Sequence, residues 1–227
     1  MNGLENWQKI LDAAKELFYQ NGYTSTTMRM IAQAAHTSVG LPSYYFGSKE
    51  SLGVEVYKGF RRRLNQVCQL FYPVDSFPSE YRHFSVLVDE AMLVENAIYR
   101  ELYVNIASHP DMGSLMQEIL TDIQPEHPVR NKYHYLNALT VLAVKAQLVN
   151  ADLQKYHITQ KELIEFIFLR YLRLQEPENA AQGGHLFRRF YQEYQECEFR
   201  IQEKFQLAYD VEQLQKHQYR LTRRGEN

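Results

Sequence analysis

ILDAAKELFYQNGYTSTTMRMIAQAAHTSVGLPSYYFGSKESL, residues 10–52, decides how the rest of the chain is read. Ile10, Leu11, Ala14, Leu17 and Phe18 recur at helical spacing, while Asp12, Lys15 and Glu16 fall on other faces. The spacing predicts a first helix over about residues 7–20, with Gly22 as its stop. Thr26 and Thr27 are capping residues and open a second helix that turns Met28, Ile31, Ala32 and Ala35 inward. His36, Thr37 and Ser38 make a tight link, and Ser38 is read as the N-cap of a short third helix. Ser48 caps a fourth helix from Lys49 to about Phe71, apolar at Val54, Val56, Tyr57, Phe60, Leu64 and Val67. Two short helices joined by a tight turn, with small Ala32 and Ala35 allowing close approach, make a helix-turn-helix pattern.

Outward from this stretch the chain stays helical. A break at Pro73–Pro78 precedes an expected helix over 81–108, stopped before Pro110, and another over about 112–123. Beyond Pro125 and Pro128 come helices over 129–156 and 159–175, a break at Pro177, and a last helix over about 185–221. That last helix, roughly 55 Å at 1.5 Å per residue, carries Phe187, Phe190, Tyr194, Cys197, Ile201 and Phe205 as a coiled-coil-like seam. The expected fold class is all-α, with an N-terminal helix-turn-helix domain at 1–55 and a larger helical domain at 56–227.

Bulk properties narrow the function. Residues 1–63 carry eight Lys/Arg against five Asp/Glu, a net of +3 that leaves −5 for the remainder of a chain of formal charge −2. A basic head on an acidic body suits contact with a polyanion at one end. Two distant cysteines, Cys68 and Cys197, form neither a disulfide framework nor a zinc pattern. With no apolar leader and no run of 18 apolar residues, the expected setting is the cytoplasm, without a membrane partner. No Gly-rich phosphate loop, GxSxG elbow or HExxH motif is present, so no enzyme chemistry, metal site or cofactor is expected.

The run Ile10–Tyr23, then Thr26-Thr27-Met28-Arg29-x-Ile31-Ala32-x-x-Ala35, Ser38-Val39-Gly40 and Tyr44-Tyr45-Phe46-x-Ser48-Lys49-Glu50-x-Leu52 resembles the DNA-binding domain of the tetracycline-repressor (TetR) family. The resemblance covers about a fifth of the chain, in order and without gaps. It implies a homodimeric, ligand-responsive repressor that reads a palindrome in duplex DNA. Carried over residue by residue, it puts Thr26, Thr27, Tyr44, Tyr45 and Lys49 near sugar and phosphate, where contacts set register. Arg29, Val39, Gly40, Leu41 and Ser43 are left near base edges, and Ser38 is counted with the DNA-binding residues. Tyr45 is read equally as a core residue, and Lys49 also as a solvated charge. Four positions depart from the family's usual pattern: Met30, His36, Pro42 and Ser43. His36 stands where the turn needs positive φ.

In the body, Met92, Glu95, Tyr99 and Tyr103 recur every three or four residues and form one stripe. It is read either as the wall of a pocket for a small effector, joined by Tyr135, Asn137, Lys145 and Gln147, or as plain core. Phe166, Phe168 and Tyr171, with Phe190, Tyr194, Cys197 and Ile201, are the candidate dimerisation residues. The alternative function is a helical partner-binding or thiol-sensing protein with weakened DNA binding.

Overall fold

Caps and apolar spacing set where the helices begin and end. The computed structural model describes residues 3–115 and 142–225. Among them α1 spans Gly3–Asn21, α2 Met28–Ala34, α3 Leu41–Phe46, α4 Lys49–Phe71, α5 Pro78–Glu95 and α6 Ala97–Ile106. Residues 110–115 and 142–149 are also helical. After a 3-10 turn at Gln154–Tyr156 come α7, Gln160–Gln175, and α8, Gly183–Glu196, separated by a 3-10 turn at Pro177–Gln182. A hairpin of β1, Arg200–Gln202, and β2, Gln206–Ala208, precedes α9, Val211–Gly225.

The described residues fall into two compact units. The first lies within Met1–Arg61, Asn96–Asn150 and Ile201–Gln206, the second within Arg62–Glu95, Ala151–Arg200 and Leu207–Asn227. In the first, Ile10, Ala14, Phe18, Ile31, Ala32 and Leu52 are fully buried. Gly53 lets α6 close on α4, because a Cβ there would stand 2.9 Å from Ile106 Cγ2 and 3.0 Å from the Tyr23 ring. An aromatic cluster follows along α4 and α6, with Tyr57 stacked on Tyr99 and Phe60 tilted against it at 4.6 Å.

In the second unit α5 is buried on nearly every side and packs on α7 and α8. Thr159 and Glu162 close a capping box at the start of α7. At its other end Glu176, only 2% exposed, accepts from Arg82 Nη1 at 2.8 Å and pairs with His83 Nε2 at 2.7 Å. Asn179 Nδ2 donates to the same carboxylate. Burial pushes the Glu176 carboxyl upward, but the bonds and charges of His83, Asn179 and Arg82 outweigh it and hold the group at about 2.

Three expected helices are corrected. The helix expected over 81–108 breaks at Asn96, which is extended (φ −102°, ψ 111°) and caps α6 by accepting from Tyr99 N–H at 2.9 Å. The helix expected to run on to Tyr156 stops by residue 149, and His157 closes the following 3-10 turn at φ 54°. The 185–221 helix is two helices around a hairpin. Cys197 ends α8, and Glu198, Lys204 and Phe205 adopt φ of 46°, 57° and 55°, which no continuous α-helix accommodates. Phe199, Ile201, Phe205 and Leu207 are buried while Arg200, Gln202 and Gln206 are exposed, the alternation of strand and not of helix.

Candidate nucleic-acid interface

The helix-turn-helix is built largely by its own side chains. Thr27, extended at φ −115°, caps α2 by accepting from Met30 N–H at 3.2 Å. At the other end His36 N–H donates to Gln33 O and Thr37 N–H to Ala32 O, at 3.1 and 2.9 Å, the paired bonds of a Schellman turn. That turn places His36 at φ 53°, the positive φ expected of the position. α3 begins at Leu41, two residues later than a Ser38 cap implies. Gly40 is its N-cap in helical geometry, and Ser38 O instead accepts from Leu41 N–H in a preceding turn. This start accounts for Pro42, which falls in the first turn, where its missing N–H has no intrahelical acceptor to leave empty. Gly47 closes α3 at φ 75°, and Ser48 Oγ accepts from Ser51 N–H at 3.1 Å to start α4.

α3 divides into two faces. Pro42 and Phe46 are buried, and Phe46 stacks on Trp7 of α1 at 5.4 Å. On the other side Val39 is 59% and Tyr44 80% exposed, with Ser38, Gly40 and Ser43 also open and Leu41 half-buried. Arg29 and Thr27 on α2 are exposed as well. Tyr45 is half-buried, edge-on to Tyr44 at 5.2 Å.

Two of the expected contact residues do other work. Thr26 is fully buried, and its hydroxyl donates toward Leu17 O and Gly22 O at 3.2 and 2.8 Å, so it fastens the α1–α2 loop and offers no hydroxyl to a phosphate. Lys49 Nζ donates to Tyr23 O at 3.2 Å and Thr26 O at 3.1 Å and lies 4.4 Å above the Tyr23 ring. Its ammonium thus pins the same loop to the start of α4. Next to it the Glu50 carboxyl is held below its ordinary value by its own backbone N–H and the Ser48 hydroxyl, which puts a carboxylate at the α4 N-terminus.

Sequence reading missed Glu101 on α6, whose carboxylate accepts from Thr24 N–H at 2.7 Å. Gly22 holds φ 80°, which favours glycine, and a Cβ there would fall 2.6 Å from Glu101 Oε2 and displace that carboxylate. A contact 77 residues away leaves no mark in local spacing.

Residues 10–56 match the model of a family described as bacterial regulatory proteins, tetR family. The helix-turn-helix segment is thus similar to the DNA-binding segment of that family, over about a fifth of the chain. It is 29% identical over 111 residues to the HTH-type transcriptional regulator YttP of Bacillus subtilis, covering 41% of this chain and 54% of that one. It is 46% identical over 48 residues to the HTH-type transcriptional regulator QacR of Staphylococcus aureus, covering 21% and 26%. The match therefore spans about half of the first curated relative and a quarter of the second. Among solved structures, a TetR-family transcriptional regulator from Syntrophomonas wolfei aligns at 19% identity and a TM-score of 0.46, over 76% of this chain and 96% of that chain. No helix among the described residues is long and apolar enough to cross a membrane.

The break at Asn96 also divides the stripe expected to line a pocket. Met92 and Glu95 lie in the second unit, where Tyr194 OH donates to Glu95 Oε2 at 2.7 Å and lies 3.7 Å from Met92 Sδ. Tyr99 and Tyr103 are fully buried in the first unit, and buried Lys145 lies 5.3 Å above the Tyr103 ring. Tyr135 and Asn137 lie outside the described residues.

Of the residues expected to pair two copies, Phe168, Phe190, Tyr194, Cys197 and Ile201 are buried within the protomer and Tyr171 is half-buried. Phe166 is 53% exposed. Neither Cys68 nor Cys197 is in a disulfide and both are buried. Burial, followed by the charges of Glu193, Glu196 and Asp210, pushes the Cys197 thiol up to about 12, which leaves little thiolate for redox sensing.

Proposed function

We propose that this chain is a TetR-family regulator that acts as a ligand-responsive repressor, a homodimer that lays α3 of each copy in the major groove of a palindromic operator. The observation that carries the reading is the two-faced α3: Pro42 and Phe46 locked below, Val39, Ser43 and Tyr44 presented above. Arg29, Val39, Gly40, Leu41 and Ser43 are assigned to base edges. Thr27, Tyr44 and Tyr45 are assigned to the backbone, with Lys49 supporting from behind through the loop it pins. Residues 1–55 supply DNA binding and residues 56–227 supply effector sensing and pairing. Phe166 on the open face of α7, beside Leu169, Arg170 and Arg173 around a shallow cavity of about 280 Å3, is assigned to the dimer contact. A small-molecule effector is assigned to the body, with the buried pair Lys145 and Tyr103 as candidate contacts.

Selection of bound duplexes from a random pool tests this directly. The expected product is an inverted repeat with half-sites about one helical turn apart, or a multiple of it. Enrichment of a single unrepeated site would remove the dimer, and no enrichment would remove the DNA reading.

A further inference from the structure

We infer that the hairpin between α8 and α9 is a positioning element for the DNA-reading helix, acting on α3 through α1. The inference rests on the reading of α3 given above. The hairpin tip, Glu203–Phe205, packs on α1 within the first unit. Phe205 is 5% exposed, and its ring meets Phe60 edge-on at 6.4 Å; Phe60 in turn abuts Tyr99. Lys204 Nζ lies 3.5 Å from Glu16 Oε2 in the second half of α1.

Lys204 and Phe205 both hold positive φ. Side chains sustain that conformation only where surrounding contacts over-determine it, and such strain collects at positions with a task. The tip therefore grips the α1 side of the unit at the expense of its own backbone. At its other end α1 carries Trp7, stacked at 28° on Phe46, the last residue of α3. Between the two contacts α1 is one unbroken helix, Gly3–Asn21.

A helix is stiff over five turns, so a shift at Glu16 is carried to Trp7 and from there to the buried end of α3. An open groove of about 540 Å3 lies along the same flank, lined by Lys9, Glu16, His36 and Lys204 among others. It reaches from the tip to the α2–α3 turn and gives α1 room to move when the tip lets go.

Trp7 is the one tryptophan of the chain, so its emission reports this path without a label. In the full chain, Phe205→Ala is expected to red-shift Trp7 emission and raise its quenching by acrylamide. The same variant should weaken binding to a duplex selected by the parent chain by about 10-fold, within the range of coupling through packed elements. Phe205→Leu, which keeps apolar volume, should restore most of both. Lys204→Glu sets like charge against Glu16 without touching the core and should move both readouts the same way by about 2-fold. It decides the matter should Phe205→Ala fail to fold.

Parent-like Trp7 emission and quenching in the folded variants would overturn the inference, as would a shifted Trp7 with unchanged duplex affinity. If the parent selects no duplex, the DNA reading fails by itself, and Trp7 still judges the coupling.

Discussion

Residues 24–52 and residues 176–217 are both helical stretches interrupted by turns, and they are held in different ways. In the first, each helix end is fixed by a neighbour: Thr27 by Met30, His36 by Gln33, Ser48 by Ser51. In the second, partners far along the chain join the local ones. Glu176 is held by Arg82 and His83, more than 90 residues away, and His217 reaches Phe71 O at 3.1 Å across 146 residues. The difference teaches where short-range chemistry sets a turn and where a fold imposes one.

The widest test of that contrast is Glu176→Gln. Removing one partner of a buried pair is expected to cost roughly 3 kcal/mol, read from denaturant melts. The carboxyl titrates at about 2 in the folded chain against an ordinary 4.5, so its contribution is complete above about pH 4.5 and lost as pH falls toward 2. The parent's stability should fall over that window, and the variant's should fall less.

Thr27→Ala removes a local cap and should cost about 1 kcal/mol. A loss as large as that of Glu176→Gln would mean that the head is no more locally determined than the C-terminal stretch.

Glu198→Gly discriminates by sign. At φ 46° glycine relieves strain and should stabilise by about 0.5–1 kcal/mol, whereas inside a continuous helix it would cost about that much. Thermal melting of the pair gives the answer.

Tyr44→Ala should leave stability within about 0.5 kcal/mol, because its ring is 80% exposed. It should nonetheless weaken duplex binding about 10-fold, measured by fluorescence anisotropy.

The same contrast explains what could be read from the sequence. The span of α4, the Ser48 cap and the demand for positive φ at His36 were legible because each is decided within a few residues. Pro42 looked anomalous only while α3 was begun at Ser38; a start at Leu41 makes it an ordinary first-turn proline. Asn96 was passed over because the apolar spacing of 81–108 runs through it, although asparagine is a strong N-cap.

The hairpin carried a readable sign, the alternation Phe199, Ile201 and then Phe205, Leu207, but Ile201 and Phe205 also fit a helical seam. Contacts far along the chain select the hairpin: Phe205 with Phe60, 145 positions earlier, and Lys204 with Glu16 of α1. Among the site residues, Val39, Ser43, Tyr44 and Arg29 stand exposed, while Thr26 and Lys49 turned inward because the carbonyls of Leu17 in α1 and of Gly22 and Tyr23 in the loop after it lie within their reach. Spacing cannot show that.

The measurement closest to the central claim is the affinity of Ser43→Glu for a duplex selected by the parent, taken across a salt series. Ser43 is exposed on α3, so the fold should be untouched, while a carboxylate is thrust at the groove. The account predicts a loss of about 100-fold or more at low salt with an unchanged melting temperature. Parent-like affinity at every salt concentration would contradict it, for α3 would then not be the surface that meets DNA.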